Sequence, residues 1–151
     1  MKAIPVHPTR RRLLGGLLPA GLLLGAGGVA AAADSRAGVV YHLSDSARAT
    51  GAIRNLDNHR AADDGLEIAV VALAGGVDFL RSGAKDDNGN DYSALVEALG
   101  FKDIRFLACG NTLEALDIDP ADLHFGVEVV PSGVAEIARL QNERGFAYIR
   151  P

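Results

Sequence analysis

The sequence has one cysteine, one methionine and no tryptophan, and these shortages narrow what it can be. A single thiol excludes an internal disulfide, and with it the stapled scaffolds common among small exported proteins. It also excludes Cys-rich zinc knuckles. No C-x-x-C or H-x-x-x-H pair is present, so neither a metal nor another cofactor is expected. His42, Asp45, Cys109 and His124 form only a loose set of soft-metal donors without supporting spacing. There is neither a G-x-G-x-x-G fingerprint nor a P-loop, and Gly75-Gly76 reads as a turn. The acids within 85–91 lack the spacing and terminal Glu of a calcium loop, which leaves a solvated surface segment.

Positive charge is scarce after the first 33 residues. Those residues hold four of the 15 Lys and Arg and none of the 19 Asp and Glu, so the remainder carries 11 against 19, a formal charge of −8. An acidic domain has no electrostatic reason to bind nucleic acid or anionic lipid. The segment itself is built differently. Lys2 and Arg10-Arg11-Arg12 precede an uncharged apolar run from Leu13 to Val29, then Ala30 to Ala33. That is the order of a secretory signal peptide, with cleavage expected after Ala33 or one residue earlier. Thr9-Arg10-Arg11-Arg12-Leu13-Leu14 further resembles a twin-arginine signal, with Leu13 where Phe is usual. The expectation is a periplasmic or secreted protein with a domain over 34–151 and no membrane span once the signal is removed.

The domain alternates between two hydrophobic patterns. Strands are expected at 38–43, 66–73, 104–109, 126–130 and 146–149, where apolar runs end in Gly, Ser, Asp or Pro. Helices are expected at 47–62, 92–100, 111–116 and 134–143, the last with Val134, Ile137, Ala138 and Gln141 at helical spacing. The run from Leu66 to Leu73 is almost continuously apolar, as in a strand buried on both faces. Strands alternating with helices imply βαβ units. The expected fold class is α/β, a three-layer α/β/α sandwich around a mostly parallel five-stranded sheet.

In such sheets, sites form beyond the carboxyl ends of the strands. His42, Ser44 and Asp45 follow the first strand, and Cys109-Gly110-Asn111-Thr112 follows the third. Pro131-Ser132-Gly133 follows the fourth. A parallel sheet puts all of these on one rim. Cys109 stands just before a helix start, where free N–H groups favour thiolate over thiol. Asn111 is expected to cap that helix, with Glu114 completing a capping box. Gly110 allows a close backbone approach. Thr112 and Ser132 are expected to line the site with Asp45, and His42 to exchange protons with Cys109 if their strands are neighbours. His59 is expected to be solvated. Against the reactive reading stands a buried structural cysteine, common for a free thiol.

Several segments resemble the DsrE/DsrF-like family, the sulfur-relay group that includes TusD-type and YchN-type proteins. They are Val40-Tyr41-His42-Leu43, Val70 to Leu80, Cys109-Gly110-Asn111-Thr112-Leu113, Val129 to Gln141 and Tyr148-Ile149-Arg150-Pro151. The resemblance implies a small α/β sandwich assembled as a dimer, trimer or hexamer. It further implies a cysteine, here Cys109, that accepts sulfane sulfur as a persulfide and passes it to a partner thiol. The expected function is sulfur handling in an exported member of the family. The alternative is a non-catalytic oligomeric binding or assembly protein with a structural cysteine.

Overall fold

The computed structural model describes residues 37–151; the expected signal peptide and its cleavage site lie outside the described residues. Strands form where β-branched and small apolar residues run together: β1 (Gly38–Asp45), β2 (Glu67–Gly75), β3 (Ile104–Cys109), β4 (Glu128–Val130) and β5 (Ala147–Ile149). Helices fill the crossovers: α1 (Ala49–Ala62), α2 (Tyr92–Gly100), α3 (Gly110–Ala115) and α4 (Gly133–Arg144). Polar side chains start two of them. Asp91 accepts the Ser93 N–H at 2.8 Å ahead of α2, and Ser132 accepts the Ala135 N–H at 3.4 Å ahead of α4.

The strand order is β4-β3-β2-β1-β5, and every pairing is parallel. Where the sequence suggests a mostly parallel sheet, the sheet is parallel throughout. From β1 to β4 the chain moves one strand at a time in one direction. It then returns through α4 to lay β5 beside β1. Val39 sits level with Ile68 and Ala147, and Cys109 with Val130.

Strand alternation divides the core in two. On one face Val39, Tyr41, Leu43, Ile68, Val70, Ala72, Ile104, Phe106 and Ala108 pack under α1, α2 and Leu113 of α3. On the other, Val40, Ala69, Val71 and Leu107 meet Ile137 and Leu140 of α4 together with Phe146. Each fully buried Val, Leu, Ile or Phe among them contributes about 1.5–3 kcal/mol. Away from the rim, the Arg60 guanidinium ties the C-terminus of α1 to the starts of β2 and β3. It donates to the carbonyls of Asp64 (3.0 Å), Leu66 (2.7 Å) and Asp103 (3.3 Å). Among the described residues, no helix is long and apolar enough to cross a membrane.

Candidate active site around Cys109

β3 ends at Cys109, which itself occupies the N-cap of α3 with φ −74° and ψ 113°. The expectation of an Asn111 cap is therefore corrected. Asn111 is the second residue of the helix and exposed, so the box with Glu114 does not form. The Asn111 N–H lies 3.2 Å from the Pro131 carbonyl oxygen, across the β4–α4 connection, and is shared with the Cys109 sulfur rather than with a Glu114 side chain.

Cys109 is 5% exposed, yet it belongs to neither apolar cluster. Burial by itself pushes the thiol pKa up. Hydrogen bonds from the Gly133 N–H, the Thr112 hydroxyl and N–H, and the Asn111 N–H outweigh it, and the thiol is held below its ordinary value. Thr112 is set for this role. Its Oγ1 accepts the Ala74 N–H at 3.1 Å, which leaves the hydroxyl proton for the sulfur. Ala74 adopts a left-handed backbone, φ 49°, uncommon for a residue with a side chain.

Two glycines let the chain close around the sulfur. A Cβ on Gly133 would stand 3.1 Å from the Cys109 Cβ and 3.2 Å from side-chain atoms of both Leu73 and Val71. One on Gly110 would stand 3.1 Å from the Val130 carbonyl oxygen. At both positions a side chain would force its neighbours to give by a few tenths of an ångström.

The remaining expected residues divide. Gly110, Asn111 and Thr112 follow Cys109 directly, and Ser132 lies next to Gly133 as the cap of α4. His42 and Asp45 are elsewhere. Strands β1 and β3 are not neighbours, because β2 runs between them. His42 instead shares a hydrogen bond between its Nδ1 and the Tyr148 hydroxyl at 2.7 Å. Burial, then the charge of Arg150, lowers its pKa. Asp45 accepts the Ala47 N–H at 3.0 Å, capping the turn after β1. His59, expected in solvent, meets the Tyr41 hydroxyl at 2.8 Å through Nδ1. His124 is buried and its Nε2 lies 3.2 Å from the Phe79 carbonyl oxygen, a structural position. Among the described residues no group of three His, Cys, Asp or Glu is placed to hold a metal.

The sequence reading missed Gly133 as a donor, although its neighbour Ser132 was expected at the rim. It also missed the Ala74–Thr112 link, for which the sequence holds no signal beyond a turn at Gly75-Gly76.

A model of the DsrE/DsrF-like family matches residues 28–151. Among solved structures the chain is similar to MTH1491 from Methanobacterium thermoautotrophicum, a protein of unknown function. Identity is 42%, with 76% of this chain and 99% of that chain covered and a TM-score of 0.68. It is also similar to the ychN protein from E. coli at 16% identity, 77% and 99% coverage and a TM-score of 0.64, a likeness of fold alone. No curated protein matches the chain.

Proposed function

Because the chain belongs to the DsrE/DsrF-like family, we propose that it carries sulfane sulfur as a persulfide on Cys109. The observation behind this is the ring of N–H and hydroxyl donors that holds the thiol below its ordinary value despite its burial. A buried cysteine that only filled space would need no such ring, and its thiol would sit high.

The chemistry needs no outside oxidant. The Cys109 thiolate attacks the outer sulfur of a persulfide or thiosulfate donor. A new S–S bond forms on Sγ, the donor's S–S bond breaks, and the electron pair departs on the donor thiolate or sulfite. An acceptor thiolate then attacks the outer sulfur of the Cys109 persulfide, and Cys109 leaves as thiolate. The same donors that steady the thiolate before attack receive it again afterwards. With Cys109 only 5% exposed, the donor has to be slender, or the partner has to displace the Pro131–Gly133 segment.

Location and assembly are part of the proposal. The three arginines, the apolar run to Val29 and the alanines before Asp34 support export through the twin-arginine route to the periplasm or beyond. Phe101 and Phe125, 83% and 93% exposed, flank an open groove of about 950 Å³ and support self-association.

Mass spectrometry tests both aspects. Incubated with polysulfide or thiosulfate, the wild type is expected to gain the mass of one sulfur atom, removable by a reductant, and Cys109→Ser none. Native spectra are expected to show a dimer, trimer or hexamer. An adduct equally abundant on Cys109→Ser removes the persulfide assignment.

A further inference from the structure

At the outer end of the same rim, β1, the turn after it and the last residues of the chain enclose a pocket of about 200 Å³. It is lined by His42, Ser44, Asp45, Arg48 and Arg150, with Leu43 and Pro151. That is smaller than the roughly 300–1,000 Å³ of sites that enclose whole drug-sized ligands. A few heavy atoms fit.

The lining is rich in donors. Two guanidiniums share the lining with the Asp45 carboxylate, which is engaged by the Ala47 N–H, and with Pro151, the last residue of the sequence. Ion pairs among the described residues use Arg81, Lys102, Arg105, Arg139 and Arg144; neither Arg48 nor Arg150 takes part in one. Arg150 donates instead to the Ser44 Oγ at 3.2 Å, which fixes its head group at the pocket. His42 adds an independent sign. Its Nε2 is enclosed and has no hydrogen-bond partner among the described residues. In the tautomer where the Tyr148 hydroxyl donates to Nδ1, the unpaired Nε2 carries the ring proton. A buried polar atom without a partner calls for one, and an ion is among the usual answers.

We infer that this pocket binds a small oxyanion through Arg48, Arg150, Ser44 and His42. Guanidinium groups suit anionic oxygens for their charge and their fork of donors. The site is separate from the thiol. Ser44 and Cys109 stand near the ends of β1 and β3, and β2 lies between those strands, so two strand spacings, ~10 Å, separate their backbones. The sulfane and central sulfurs of thiosulfate are only about 2 Å apart. One thiosulfate cannot fill the pocket and meet Cys109 at once.

NMR titration of the full-length protein with sodium sulfate, at constant ionic strength set by chloride, tests this. Saturable shifts centred on His42, Ser44 and Arg150 are expected. Arg150→Gln and Arg48→Gln, both changes of exposed side chains, are each expected to weaken binding at least tenfold, while Cys109→Ser binds as the wild type does. A parallel acetate titration tells whether a planar carboxylate is accepted as well as a tetrahedral oxyanion, and saturation by either supports the site. Shifts that grow linearly with both salts, or undiminished binding by both arginine variants, overturn it. Because Cys109→Ser keeps the pocket, failure here is distinguishable from failure of the persulfide reading.

Discussion

The two faces of the sheet are built to different standards of cover. Three helices close one, and its cluster runs from Val39 to Leu123. A single helix, α4, covers the other, and on either side of it polar residues take over. Arg105 and Glu128 pair there on one flank at 2.8 Å and 2.9 Å, while His42 and Tyr148 meet on the opposite flank. Cys109 belongs to this thinner face. The difference separates two demands. Stability is concentrated where apolar side chains are sealed, and chemistry is placed where main-chain donors and charged groups can reach the sheet.

Mutations chosen from each face can break that division. The largest effect is expected from Phe79→Ala on the sealed face. Phe79 is 1% exposed and stacks edge-on with Tyr92 and Phe106 at 5.8 Å and 6.3 Å between ring centres. Loss of about 3–5 kcal/mol in urea unfolding is expected. The pH midpoint of Cys109 alkylation should stay where it is under native conditions. If that midpoint moves, the faces are coupled and the division is too simple.

Gly133→Ala strikes the thin face. The new methyl group would press on Cys109, Leu73 and Val71 together. Overpacking of this kind costs about 1–3 kcal/mol, partly offset by the roughly 0.5–1 kcal/mol that alanine gains over glycine in a helix. The sharper readout is the thiol. Its pKa should rise as the Gly133 N–H is pushed away, seen as an alkylation midpoint at higher pH. An unmoved midpoint would mean that Gly133 is not a donor to the sulfur.

The smallest effect is also the most specific. In the fold the Cys109 thiol gives up its proton more readily than in the unfolded chain. Its contribution to stability is therefore complete above the unfolded thiol pKa of about 8.5. It disappears as pH falls through the lower folded value. The stability of the wild type relative to Cys109→Ser should grow as pH rises through the lowered folded value towards about 8.5, and level off above it. Unfolding curves at several pH values that show a constant difference would leave the thiol without its stabilised anion.

Much of this architecture was legible because it is local. α2 at 92–100 and β3 at 104–109 match their expected bounds, since Gly100 and Gly110 punctuate strong apolar patterns. What escaped depends on order in space. Periodicity places Cys109 and His42 on one rim but does not say that β2 divides them. The Asn111 cap did not form because α3 already starts at Gly110, with Cys109 at its N-cap, and the Asn111 N–H is turned to the Pro131 carbonyl and the sulfur. The left-handed Ala74 has no trace in a sequence where Gly75 and Gly76 follow directly.

The return of the chain through α4 has a consequence for timing. Every residue from β1 to α3 precedes Gly133 in synthesis, so a nascent or truncated chain can hold Cys109 before one of its donors exists. The thiol acquires its full set of hydrogen bonds only when the C-terminal helix docks. A chain that stops short of α4 therefore holds the thiol with the Thr112 and Asn111 donors but without Gly133.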